Sequence, residues 1–203
     1  VKKRTILLAT SIAMSMLTGS SNSYADYGIA HVKKGSNTNG PDFQYWLDSS
    51  VASYGYTDIV KNAETNWNAV SGSTAKLWEI SDAYASLAQI KIYVVYGSLG
   101  SGVYGAADYY NRLSNGALST VYISDINNGS NYNFARIQLD AGSMSQWSWA
   151  ERSMNTGHEI GHALGISHFE IAPAHSGSHW MKSGKFNLSS PTSEDANHLA
   201  NKW

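Results

Sequence analysis

The chain has 203 residues, enough for one domain with a sizeable core. Charged residues are 14% and aromatics 12%, with a formal net charge of −1, which excludes a disordered chain. Beyond the N-terminus no basic run offers a surface to nucleic acid, and the absence of cysteine excludes a thiol nucleophile, a Cys-rich metal site and disulfide staples.

Residues 1–25 read as a secretory signal peptide. Lys2, Lys3 and Arg4 form a positive start, 6–17 is a short apolar run, and Ser23-Tyr24-Ala25 is a small-x-small cleavage site. The apolar run is well short of the ~20 residues a membrane span needs. The expectation is therefore a secreted, extracellular protein cleaved near Ala25, with no stable membrane anchor. A first residue of Val rather than Met is what a bacterial gene read from an alternative start codon would give. Loss of Lys2, Lys3 and Arg4 takes the net charge from −1 to −4. Residues 26–42 then form a short leader or pro-segment, Gly/Asn-rich and too short to fold alone. Asp26, His31 and Asp42 are the groups by which it could block a cleft; a mobile leader that blocks nothing is expected.

The body is expected over 43–203. A first strand falls at 43–48. Thr57 is read as the cap of a helix to about Val70, with Ile59, Val60, Ala63, Trp67 and Val70 on one apolar stripe and Gly72 as its stop. Strands follow at 76–80 and 89–96, the second alternating Ile90, Ile92, Val94 and Tyr96 with Lys91 and Tyr93. Further strands are expected at 103–109, 118–123 and 134–139. A helix over 146–164 comes next, with a second possible start at the Thr156–Glu159 capping box. Gly157 and Gly161 inside it each cost up to about 1 kcal/mol relative to Ala, and close packing of the helix under the sheet is the expected reason for them. After an irregular stretch, Ser190-Pro191 looks like the N-cap and first residue of a last helix burying Ala196, Leu199, Ala200 and Trp203.

The chemistry concentrates in residues 158–168, which read H-E-x-x-H-x-x-G-x-x-H. His158 and His162 are four apart and share one helix face, where two imidazoles can hold one tetrahedral zinc ion. Gly165 can take positive φ, end the helix and bring His168 back as the third ligand. Three protein ligands leave a fourth position open, the mark of a catalytic site. Glu159 lies beside the first histidine, placed to take a proton from a water.

This order of elements resembles the metzincin catalytic domain, most like small matrixin-type peptidases. The likeness is strong at 158–168 and softer at 76–96 and 188–199. It implies an α+β zincin domain: a twisted, mixed, mostly parallel sheet with an antiparallel edge strand, packed on the zinc helix. A Met turn and a C-terminal helix would follow. Met181 would be the Met of that turn, an apolar floor under the ligand rings. The activity implied is that of a zinc metalloendopeptidase acting on protein or peptide laid along an edge strand, with one catalytic zinc on His158, His162 and His168 and Glu159 as general base. A monomer is expected. The sequence departs from matrixins in carrying Phe169 after the third histidine and a longer 168–181 stretch; no Tyr follows Met181, so the Tyr ligand of astacins and serralysins is lacking.

Two other readings stay open at this point: a zinc peptidase with Glu170 or Glu194 as third ligand, and a zinc-stabilised, non-catalytic binding module presenting Tyr and Trp. Gly165 and His168 argue against the first, and Glu159 against the second. His175 and His179 are read as solvated loop histidines. Asp108, Asp125, Asn127, Asn128 and Asp140 offer oxygens to calcium, but in no calcium-loop spacing; turn chemistry accounts for them.

Overall fold

The computed structural model describes residues 32–203. In chain order the elements are β1 (Asp42–Leu47), α1 (Ser49–Ser53), α2 (Thr57–Asn68), β2 (Lys76–Glu79), a 3-10 turn (Asp82–Leu87), β3 (Ile90–Val95), β4 (Gly105–Arg112), β5 (Leu118–Val121), α3 (Ile123–Asn127), β6 (Phe134–Asp140), α4 (Trp149–Ala163) and α5 (Ser193–Lys202). The fold is α+β, with a six-stranded mixed sheet of order β2-β1-β3-β6-β4-β5. β2, β1, β3 and β6 run parallel, and β4 is antiparallel to both β6 and β5. β5 pairs only with Tyr109–Arg112, so the first half of β4, 105–108, is a free sheet edge.

Alternation places the sheet's inner face. Ile90, Ile92 and Val94 of β3 and Ala135, Ile137 and Leu139 of β6 are buried. Under them lie α2, buried through Ile59, Val60, Ala63 and Trp67, and α4, which packs on both α2 and β4. Trp67 Nε1 donates to the Gly157 carbonyl at 3.0 Å, locking the two helices in register.

Several starts differ from expectation. α4 begins at Trp149, under a reciprocal capping box of Ser148 and Glu151, so Thr156 and Glu159 are helix interior and not a cap. α5 is capped by Thr192 and Asp195, two residues later than the Ser190-Pro191 reading. Thr57 is the first helical residue, and Tyr56 is the N-cap. α1, α3 and the 3-10 turn have no counterpart in the sequence reading.

The expected loose leader is corrected where it is described. Val32 bridges Ile166, Asn37 bridges Tyr132, and Lys202 Nζ donates to the carbonyls of Lys33 (2.7 Å) and Gly35 (3.0 Å). Residues 32–41 are thus fastened across α4 and α5, and Asp42 opens β1 opposite Lys76. The signal peptide, its cleavage site, Asp26 and His31 lie outside the described residues. Among the described residues no helix is long and apolar enough to cross a membrane.

Candidate metal centre

α4 carries His158 and His162 one turn apart on the face turned to β4. The helix stops at Leu164, and Gly165 follows with φ +96°. Gly165 N–H donates to His162 O (3.1 Å) and Ile166 N–H to Gly161 O (3.0 Å), the paired bonds of a Schellman end. The reversal returns His168 to the first two histidines. The ligand-capable atoms of the three lie within 4.8 Å of one another, with His158 Nε2 and His168 Nε2 at 3.1 Å.

The outer nitrogens set the tautomers. His158 Nδ1 donates to Trp180 O at 2.6 Å and His162 Nδ1 to Ile166 O at 2.8 Å, while His168 Nδ1 is 3.4 Å from Ser183 Oγ. A carbonyl only accepts, so the proton sits on Nδ1 and the Nε2 lone pair faces inward. Burial, with the neighbouring histidine and Lys33 adding to it, pushes His158 down to about 3. Burial likewise holds His162 well below and His168 below the ordinary imidazole value. At neutral pH all three are uncharged donors, the form a metal needs.

Glu159 is buried beside them. Its room comes from Gly105 at the start of β4: a Cβ there would lie 2.6 Å from Glu159 Cγ and Oε1. Burial raises its carboxyl to about 8, against the pull of Lys33 and with a small push from Asp108. Lys33 is buried too, its ammonium donating to Tyr109 Oη and, at 2.9 Å, to His162 O. Burial lowers it to about 7, Glu159 acting in the opposite sense.

The turn at 180–181 supports the centre from below. Asp195, fully buried on α5, accepts from the N–H groups of Trp180 and Met181, both at 2.9 Å, and from Thr192 N (2.8 Å) and Oγ1 (2.9 Å). That fixes the Trp180 carbonyl that holds His158. The glycines of α4 make room for this turn and not, as expected, for the sheet. A Cβ at Gly157 would lie 2.2 Å from Trp180 Cε3, and one at Gly161 2.3 Å from Met181 Sδ.

Above the site runs a cleft of about 550 Å³. One wall is 102–107, leading into the free edge of β4; the other is 182–184; the floor is His158, Glu159, His162 and His168.

The structure thus brings together His158, His162, His168 and Glu159. Glu170 instead accepts from Ser183 N (2.6 Å), and Glu194 from Ser193 Oγ (2.7 Å). Asp108 pairs with Arg136 at 2.7 Å, and Asp140 accepts from Gly97, Leu99 and Ser143 N–H; these are the structural duties of two of the calcium candidates. His179 is not solvated: it is buried, its ring bonded to Thr192 Oγ1 and Ser176 O, and His175 is half-buried. Sequence reasoning missed Lys33, Gly105 and Trp180, and the role of Asp195. Only Asp195 left a trace, as the last residue of a T-x-x-D cap. Three neutral imidazoles, two of them with outer nitrogens fixed by carbonyls, converging beside a carboxylate, fit a bound metal ion. No protein-family model matches the chain, and no curated protein matches it.

Proposed function

We propose that the protein is a secreted zinc metalloendopeptidase of the metzincin type. One observation carries the reading: Glu159 sits in a glycine-made gap beside three converging imidazoles, on the floor of a cleft flanked by a free strand edge. Three nitrogen ligands suit zinc and leave it a fourth position. The mixed sheet over α4, the buried Met181 under Gly161 and the closing helix α5 support the family reading.

When bound, the ion supplies Lewis acidity, polarising a peptide carbonyl and making a water easier to deprotonate. The rest falls to the chain. The backbone N–H and C=O groups of 105–108 that face away from β6 can pair with an extended peptide and hold its scissile bond over the floor. Glu159, as the carboxylate, takes the proton of the attacking water and delivers it to the leaving amine; burial, which raises its affinity for a proton, makes it the stronger base for that step. Trp180 O and Ile166 O keep the imidazoles turned inward throughout.

The test is hydrolysis of casein and gelatin by the full chain, with and without a chelator, followed by return of zinc. The reading expects hydrolysis that chelation abolishes and zinc restores. Undiminished hydrolysis in chelator, or none by zinc-loaded protein, would overturn it.

A further inference from the structure

A second cavity, of about 270 Å³, adjoins the cleft, and Ala107, His162 and His168 line both. It lies further along β4, at Tyr109, where β5 begins to pair and the free edge ends. α3, the element after β5, adds Ile123 and Asn127 to its wall. A peptide paired along 105–108 runs past the three histidines toward Tyr109, so one of its side chains comes beside this cavity.

Lys33 also lines the cavity. Its main chain is fastened at the end of α4 and to α5: the N–H donates to Gly165 O at 2.8 Å, and the carbonyl accepts from Lys202 Nζ at 2.7 Å. The side chain runs from there to β4, where its ammonium donates to Tyr109 Oη and, at 2.9 Å, to His162 O. Both of those residues are cavity wall as well. An ammonium has three N–H donors, so these two acceptors leave one to spare. Lys33 is buried, and a buried cation is costly unless an opposite charge meets it. No carboxylate lines the cavity; Glu159 belongs to the cleft, in the gap at Gly105. The cavity thus presents one cation with an unspent donor and no fixed counter-charge in its wall.

We propose that this cavity is a substrate subsite for an acidic side chain, aspartate or glutamate, whose carboxylate pairs with the Lys33 ammonium. The subsite presupposes the peptidase activity proposed above. The Asn127 amide offers a further donor, and the exposed Ile123 an apolar rim for the aliphatic stem of the guest. Asparagine or glutamine has the same shape without the charge. One hydrogen bond between charged groups then separates acid from amide by about 10–100-fold in kcat/KM.

The test is hydrolysis of a randomised peptide library by the zinc-loaded full chain, with the products sequenced. Paired peptides follow, differing only by Glu or Gln at the position the library singles out. Asp and Glu should be enriched at one position relative to the cut, and Glu should be preferred to Gln by about 10–100-fold. Lys33→Met abolishes the preference. Ile123→Glu, which sets a like charge on the exposed rim and does not touch the core, lowers it several-fold. The ratio is taken within each protein, so a change in overall activity or metal loading does not enter it. Hydrolysis without acidic preference, or a preference that either folded variant leaves unchanged, would overturn the subsite and leave the peptidase reading standing. No hydrolysis of any peptide would overturn both.

Discussion

Replacing Gly157 by Ala puts a methyl group where the structure has none to spare. The added Cβ would lie 2.2 Å from Cε3 and Cζ3 of Trp180 and 2.8 Å from Cδ2. Comfortable carbon contacts are about 3.5–4.0 Å, so the indole must retreat by more than about 1 Å. It is poorly placed to do so. Trp180 is fully buried, edge-on to Trp67 at 5.4 Å, with Nε1 bonded to Leu188 O and its backbone N–H to Asp195. Overpacking a tight core costs about 1–3 kcal/mol, and a ring held on three sides belongs at the upper end. Alanine returns up to about 1 kcal/mol through helix propensity. The net loss is about 2 kcal/mol, or a melting temperature lower by about 4–8 °C at this chain length. Because Trp180 O orients His158, metal affinity should fall by about 10–100-fold as well. Gly161→Ala should cost less, since the crowding atom is the sulfur of a flexible Met181. Thermal melts in chelator and metal titrations test both effects. A Gly157→Ala protein as stable as wild type and with unchanged metal affinity would show that Trp180 is free to move and does not hold His158 in place.

Asp195→Asn leaves one acceptor oxygen where four donors converge; loss of charged hydrogen bonds predicts destabilisation of about 3 kcal/mol, measured by urea unfolding. Gly105→Ala should displace the Glu159 carboxylate and cut kcat by at least about tenfold while leaving the melting temperature nearly unchanged. In metal-free protein, below the value of about 7 to which burial lowers Lys33, the pH dependence of the site has two opposing parts. The histidines have depressed folded values, so their contribution is present above about 6.5 and is lost as pH falls toward His158's value of about 3. Glu159 has a raised value, so its contribution is complete below 4.5 and is lost as pH climbs to about 8. Glu159→Gln removes only the second part, and the variant should therefore gain on wild type by about 1.4 kcal/mol per pH unit across that window. Parallel stability curves for the two proteins from pH 5 to 7 would contradict it.

How much of this was legible in the sequence depends on whether the cause is local. The spacing of His158, His162, Gly165 and His168 encodes one helix face and one reversal, so the cluster could be read directly. The alternation at 90–95 marked β3 for the same reason. Asp195 belongs to a T-x-x-D capping signal that the Ser190-Pro191 reading passes over, and the backbone N–H groups of Trp180 and Met181 that it serves carry no side-chain signature. Lys33 looked like part of a polar leader, because nothing nearby in sequence reveals that Tyr109 and the end of α4 close over it. Gly157 and Gly161 advertised close packing without naming the partner, which proved to be the 180–181 turn and not the sheet. Ser148–Glu151 and Thr156–Glu159 are the same kind of capping signal; Ser153 to Gly161 are buried in α4, which packs on α2 and β4, so the later signal lies inside the packed helix and the earlier one caps it.

If Glu159 moves the proton in a metal-dependent hydrolysis, Glu159→Gln separates metal binding from turnover when both are measured on the same sample. The variant should keep one zinc on His158, His162 and His168 and an unaltered fold, while kcat on casein falls by about 10²–10⁴-fold. Near-normal turnover by the zinc-loaded variant would assign the proton transfer to another group.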